Sequence, residues 1–179
     1  MPLRAFLAAL VLGVCASQAR AADVVGYGEA FNVLYSVDLT TRTASLIGGA
    51  TLNGVPVNLY GLTFNPNGVL YAVSDANAVK SLLTIDKTTG QAALVGQLNL
   101  GTNAQLDLAL ALTCDGKLWM SASTGQFWSV DPSTAATTAL GNLGATLTGL
   151  AARGSLLLGA GGQGNNNLYA IDPIKVTAN

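Results

Sequence analysis

The acidic residues of this sequence are its main candidates for chemistry, because the chain contains no histidine. It therefore lacks the commonest general base and metal ligand, and it can form no Ser-His-Asp or Cys-His triad of its own. Four acids stand outside any turn motif, namely Asp23, Glu29, Asp75 and Asp107. Two of them could act as a carboxylate pair, as in glycosidases, but their spacing along the chain gives no reason to expect that they meet.

Two other groups of potential ligands are weaker. Asp75 and Asn77 place two oxygen-bearing side chains in one loop, but calcium sites use further carboxylates. Gly159, Gly161 and Gly164 match the spacing G-x-G-x-x-G, yet a strand pattern follows them, so they indicate a flexible loop between the last two strands rather than a dinucleotide site. We therefore assign no catalytic, cofactor-binding or metal-binding residue from the sequence.

The N-terminus has the features of a secretory signal peptide. Arg4 precedes an apolar run over residues 5–16, which is followed by small residues up to Ala21. The run is shorter than the roughly 20 apolar residues of a membrane span. We predict a signal peptide over residues 1–21 and a single exported domain over residues 22–179, in the periplasm or outside the cell. Lipid attachment at Cys15 is the alternative, although the preceding Val14 fits such a site poorly.

Net charge, the length of the apolar stretches and the second cysteine argue against three classes of function. Without Arg4 and Arg20 the mature chain has six basic and nine acidic residues, a net charge of about −3, which argues against nucleic-acid binding. We expect no membrane span, because the apolar stretch 106–112 is short and interrupted by Asp107. Cys114 lies in an apolar strand pattern over residues 110–114, which predicts a small buried side chain rather than a reactive thiol.

An internal repeat organises the rest of the chain. An apolar or aromatic segment ending in aspartate occurs four times, and the aspartates are 48, 45 and 41 residues apart. Each aspartate precedes a turn, where its carboxylate can accept hydrogen bonds from backbone N–H groups. We therefore predict structural turn residues rather than ligands at Asp38, Asp86, Asp131 and Asp172. The aromatic residues of the same segments, Tyr35, Trp128 and Tyr169, are expected to pack between repeats.

Each repeat supplies four short strands. A glycine, at Gly48, Gly96 or Gly141, closes the second strand of the first three repeats, and two further strands follow around a glycine-containing turn. We see no amphipathic helical pattern. The sequence thus predicts an all-β fold with β-propeller-type blades of four antiparallel strands, about three and a half units in all, forming an incomplete ring or half-propeller.

The repeat resembles that of bacterial secreted propellers of the YVTN and quinoprotein-like superfamily. Leu168 to Pro173 and Gly61 to Val73 carry the resemblance, which extends from Val24 to Asp172. It implies an architecture but no particular activity, because this superfamily hosts many functions. Tryptophans at constant spacing, which dock the blades of quinone-cofactor dehydrogenases, are absent, so we expect no cofactor.

These observations favour a noncatalytic interaction module that binds an envelope or extracellular protein or a glycan. The alternative is a hydrolase or lyase that uses Asp or Glu with a bound cation. Counting strands along the chain gives about 14, fewer than a closed ring of four blades needs. We therefore expect a homodimer in which a lone strand of one chain completes a blade begun by the other.

Overall fold

The computed structural model describes residues 25–75, 79–100, 107–162 and 164–179. The predicted signal peptide at residues 1–21, together with Asp23, Ala76 and Asn77, lies outside the described residues, as does Gln163. Within the described ranges the chain is all β, which confirms the predicted fold class. None of these residues belongs to a helix of the length and hydrophobicity that a membrane crossing requires.

The described strands form four small sheets, which are the blades of a propeller. Blade 1 contains β1 (Val25–Ala30), β2 (Val33–Asp38) and β3 (Thr43–Gly49). Blade 2 contains β6 (Leu59–Phe64), β7 (Leu70–Ser74), β8 (Ser81–Ile85) and β9 (Gln91–Gln97). Before it, the hairpin of β4 (Thr51–Leu52) and β5 (Val55–Pro56) adds to this sheet, because β4 pairs in parallel with β9.

The other two blades each have four antiparallel strands. Blade 3 contains β10 (Leu108–Leu112), β11 (Leu118–Ala122), β12 (Gln126–Val130) and β13 (Thr137–Asn142). Blade 4 contains β14 (Leu147–Arg153), β15 (Leu156–Gly161), β16 (Leu168–Asp172) and β17 (Thr177–Ala178). Strand order within each blade follows chain order, so each blade is a simple meander.

The blade boundaries fall half a repeat away from the units read from the sequence. A full blade begins with the strand pair that we placed third and fourth, and the aspartate hairpin forms its outer half. As a result β1 pairs with β2, with Gly28 opposite Tyr35, and β16 pairs with β15, with Leu168 opposite Ala160. The prediction that a lone strand completes a blade of another chain was therefore wrong, because both end strands pair within the chain. Turn signals between consecutive strands do not tell which of them share a sheet.

The repeated aspartates lie in the turns between the two outer strands of each blade. In blade 1 the Oδ1 atom of Asp38 accepts hydrogen bonds from the backbone N–H groups of Thr40 and Thr41 at 2.7 and 3.0 Å. Asp86, Asp131 and Asp172 accept the equivalent pairs. The fourth residue after each aspartate has a positive φ, between 54° and 78°, at Arg42, Gly90, Ala135 and Val176. One turn geometry therefore recurs in all four blades.

The repeated glycines allow the turn of the following blade to pack closely against the strand that carries each glycine. A Cβ on Gly48 would lie 2.8 Å from the carbonyl oxygen of Thr89, and one on Gly96 would lie 2.5 Å from that of Thr134. At Gly141 the neighbour is the side chain of Val176, at 3.2 Å. Each glycine sits beside a bulge in its strand pair and faces the aspartate turn of the next blade. The glycine is needed because any side chain would push that turn away.

The apolar core lies between blades. Its three clusters are centred on Leu34 and Leu70 between blades 1 and 2, on Leu82 and Met120 between blades 2 and 3, and on Phe127 and Leu157 between blades 3 and 4. Trp128 and Tyr169 belong to these clusters. No fourth cluster joins blade 4 to blade 1 among the described residues. Over the described residues, the blades therefore form an arc whose two ends are not joined by an apolar cluster.

The position of Cys114 differs from the prediction. Its side chain is exposed, because β10 ends at Leu112 and Cys114 lies in the turn that follows. Thr113 takes the buried position instead, where its hydroxyl accepts a hydrogen bond from the indole of Trp119 at 3.0 Å and lies 2.5 Å from Asp115. A polar residue that is satisfied by side chains thus interrupts the apolar pattern before the cysteine.

We predict that Gly96→Ala lowers the free energy of unfolding by roughly 1–3 kcal/mol, the usual cost of overpacking. The added methyl group would meet backbone, which cannot move aside as a side chain can. Gly49→Ala is the matched control, because the nearest atom to a Cβ there is the carbonyl oxygen of Asn32 at 3.8 Å, an ordinary van der Waals contact. Urea denaturation of both variants measures the free energy of unfolding. Equal values would show that close packing of the turn does not require a glycine at position 96.

Candidate functional site

The turn aspartates use their carboxylates locally. Hydrogen bonds lower the pKa of all four, chiefly from the hydroxyl of Thr88 at Asp86 and of Ser133 at Asp131. Backbone N–H groups are the main cause of the lowered pKa at Asp38 and Asp172. Because the four lie in the turns of four separate blades, a structural role remains our prediction for them.

A different set of polar residues converges where blades 2 and 3 meet. Tyr60 is the second residue of β6, Asp75 follows β7, and Lys80 precedes β8. These three strand ends lie side by side at the same end of the blade, since Leu59 pairs with Ser74 and Ser74 pairs with Ser81. Asp107 directly precedes β10, which packs against β6. We call Tyr60, Asp75, Lys80 and Asp107 the polar cluster.

The polar cluster is held by specific contacts. The hydroxyl of Tyr60 donates a hydrogen bond to Asp75 Oδ2 at 3.0 Å, and Lys80 Nζ lies 4.1 Å from the centroid of the Tyr60 ring. Only 7% of Lys80 is exposed. Its carbonyl oxygen accepts the N–H of Leu98 at 2.8 Å, which fixes the backbone that carries the lysine. The aromatic face of Tyr60 and the ammonium of Lys80 thus form a cation–π contact.

Electrostatics link all four members of the cluster. Burial raises the pKa of Tyr60, and the hydrogen bond and charge of Asp75 and the charge of Asp107 raise it further. Burial lowers the pKa of Lys80, while the charges of the same two aspartates act against this. With Lys80 protonated, the cluster has two carboxylates and one ammonium, and so one surplus negative charge. The linear spacing of Asp75 and Asp107 does not indicate that they act on the same two groups.

A small cavity opens beside Asp75. It has a volume of about 210 Å³, and its walls come from the β4–β5 hairpin and the segment before β6. Polar groups are supplied by Asn53, Asn58 and Asp75, and apolar walls by Leu52, Val55, Pro56 and Val57. Pockets that enclose whole small-molecule ligands usually measure roughly 300–1,000 Å³. The cavity is therefore suited to a single side chain or a single sugar unit.

Two larger clefts elsewhere are weaker candidates for a functional site. One of about 510 Å³ between Asn99 and Trp128 has no titratable side chain in its lining, and another of about 570 Å³ surrounds the Asp86 turn. No group of three or more acidic or cysteine side chains among the described residues is placed to hold a metal ion. Asp75, the described residue of the two that we weighed as calcium ligands, accepts a hydrogen bond from Tyr60. The cavity beside Asp75 is thus the best candidate site.

Comparison with known proteins supports the fold. No protein-family model matches the sequence, and no curated protein matches it significantly. Solved structures do match: a chain of the nidogen/laminin complex at 16% identity and a TM-score of 0.59, with 86% of this chain and 56% of that chain covered. The Malassezia sympodialis allergen Mala s 1 matches at 15% identity and a TM-score of 0.51, with 86% and 58% covered.

Puromycin hydrolase also matches, at 16% identity and a TM-score of 0.50, with 82% of this chain and 24% of that chain covered. The shared feature is the propeller fold. At such low identity these likenesses show no more than that. This chain spans less than two thirds of the length of each of the three proteins.

Glu29 is the remaining acid among the described residues. It lies on β1 of blade 1, half-buried, and faces Gly61 of blade 2. Burial raises the pKa of its carboxyl group, and a hydrogen bond from the Gly61 backbone acts weakly in the opposite direction. The charged form of Glu29 therefore opposes the packing of blade 1 on blade 2.

We predict that Glu29→Gln stabilises the protein at neutral pH. Since the pKa of Glu29 in the folded chain exceeds its ordinary value of 4.5, its contribution to stability is complete below pH 4.5 and is lost as the pH rises through the raised value. The glutamine variant lacks this loss. Its advantage over the unchanged chain in urea denaturation should vanish at acidic pH and grow above pH 4.5, and a constant difference at all pH values would contradict the assignment.

Proposed function

We propose that this chain is an exported, noncatalytic binding module, built from YVTN-type repeats, that captures a basic side chain of a protein partner in the cavity beside Asp75. One observation carries the proposal: a carboxylate and two carboxamides line a small cavity together with apolar side chains. The propeller fold, shared with a chain of a nidogen/laminin complex, is consistent with a binding role.

The lining of the cavity suits lysine or arginine. These side chains have an apolar stem and a charged end, so they bury the stem and direct the charge to an acceptor. Val55 and Pro56 provide apolar contact, while Asp75 provides the acceptor together with Asn53 and Asn58. The surplus negative charge of the polar cluster adds attraction at longer range.

The alternative of a cation-assisted hydrolase or lyase fits the cluster less well. Lys80 Nζ is close to Tyr60 and within electrostatic reach of both Asp75 and Asp107. Lys80 therefore neutralises one of the two carboxylate charges, and the single surplus negative charge matches one basic side chain better than a divalent catalytic cation. This arrangement favours a site that binds over one that turns over a substrate.

Export and assembly are further parts of the proposal. Export is supported by the positive charge, short apolar run and small residues of segment 1–21. We propose a homodimer as the working form, because both ends of the blade arc carry faces like those that pack elsewhere in the chain.

Export makes one prediction about maturation. Mass spectrometry of the protein recovered from the culture medium or periplasm should show a chain that begins at Ala22, within one residue. A retained N-terminus carrying acyl chains on Cys15 would contradict both the cleavage site and release from the membrane.

We predict that the protein binds immobilised peptides containing arginine or lysine at least about tenfold more tightly than the same peptides with citrulline or norleucine, since a hydrogen bond to a charged group contributes roughly 1.5–3 kcal/mol. Asp75→Asn should remove this preference. Asp115→Asn is the matched control, because it lies in an exposed turn away from the cavity lining. Binding unaffected by Asp75→Asn, or binding to a glycan array and not to peptides, would overturn the proposal.

A further inference from the structure

The outer face of blade 4 repeats a surface that is buried in the other three blades. The residue four positions before each repeated aspartate shows this most clearly. In blades 1, 2 and 3 it is Leu34, Leu82 or Phe127, and each is 0% exposed because the next blade covers it. In blade 4 it is Leu168, which is 70% exposed.

The residues around Leu168 continue this apolar face. Ala160 lies directly opposite it on β15, Leu158 is two residues away, and Ala151 lies opposite Leu158 on β14. Together with Gly149 they line an apolar cavity of about 180 Å³. We call Ala151, Leu158, Ala160 and Leu168 the leading face, because the equivalent residues of the other blades contact the blade that follows.

Blade 1 presents the complementary half of the same contact. The residues one and three positions before each aspartate pack against the preceding blade in blades 2, 3 and 4, for example Trp128 and Val130, which are 5% and 4% exposed. Their counterparts Tyr35 and Val37 are only partly buried. Opposite them stand Gly28 and Gly26. We call these four residues the trailing face.

The shapes of the two faces match. A Cβ placed on Gly28 would meet nothing within 4 Å, so the trailing face has open space beside Tyr35. The leading face has a protruding leucine, Leu168, beside small residues. A leucine that enters the space over Gly28 would reproduce the blade-on-blade packing that occurs three times inside the chain.

We infer that the leading face of one chain docks on the trailing face of a second copy. The inference deepens the proposed homodimer by naming its contact. Leading and trailing faces are different surfaces, so the contact is head-to-tail, and two copies satisfy both pairs of faces when they close into a ring. Two chains of four blades each make eight, within the roughly four to eight blades of known propellers.

The complementarity of the leading and trailing faces favours a second copy of this chain over an unrelated partner. Both halves of the contact lie on this chain, and the same contact already joins blades 1 to 2, 2 to 3 and 3 to 4. The polar cluster lies at the junction of blades 2 and 3, away from both faces, so the dimer leaves the cavity beside Asp75 open.

Light scattering coupled to size exclusion, with exported protein at micromolar concentration, tests the contact. The unchanged chain should have the mass of a dimer. Leu168→Asp in the leading face and Gly28→Glu in the trailing face should each weaken the dimer at least about tenfold. Leu94→Asp, a similarly exposed leucine of blade 2, is the control and should leave the dimer intact. Thermal unfolding and circular dichroism show whether each variant is folded, and Ala160→Asp replaces Leu168→Asp if the latter is not.

Mixing the two variants gives the signature of a head-to-tail contact. Each retains the face that the other has lost, so an equal mixture should recover part of the dimer that neither forms alone. A folded monomer of the unchanged chain, a dimer that survives both substitutions, or open-ended oligomers would overturn the inference. None of these outcomes depends on peptide binding at Asp75, whose loss would instead refute the proposed function.

Discussion

Blade-on-blade packing is the interaction on which the rest of this structure depends. A single repeat unit cannot bury its hydrophobic face alone, and every cluster of the core among the described residues spans two blades. The repeated glycines extend the same contact to the periphery, since they let the turn of the next blade approach to within a few ångströms of backbone. The polar cluster also follows from it, because Asp107 reaches Tyr60 and Lys80 only where blade 3 docks on blade 2.

The candidate site, by contrast, is built from features that the other blades do not share. The β4–β5 hairpin interrupts the passage from blade 1 to blade 2, pairs in parallel with the outer strand of blade 2, and builds the apolar wall of the cavity beside Asp75. Lys80 is likewise peculiar to blade 2, and its ammonium neutralises one of the two carboxylate charges. A regular scaffold thus positions one irregular, acidic recess, which is where we place the proposed binding site.

Local pattern was sufficient to predict the fold class, the strand content and the position of the aspartate turns, because each depends on residues close together in sequence. It failed where the outcome depends on contacts between distant residues. The spacing of Gly48, Gly96 and Gly141 was evident, but its cause lies in the neighbouring blade. Which strands share a sheet depends on how the blades stack. The same is true of the arrangement in which Asp75 and Asp107 act on one tyrosine and one lysine. The prediction that Cys114 is buried was wrong, because an apolar pattern does not reveal the side chains that hydrogen-bond to Thr113.

The arc of three interblade clusters also governs how the molecule comes apart. Because each blade is held mainly by its immediate neighbours, the folding free energy takes a nearest-neighbour form, like that of other repeat proteins. Within a single chain, blades 2 and 3 have two supporting contacts and a terminal blade has one, so opening of the monomer begins at the ends and its middle is the most protected part. The polar cluster lies at the junction of blades 2 and 3, and therefore keeps its geometry through fluctuations that fray the termini of the arc.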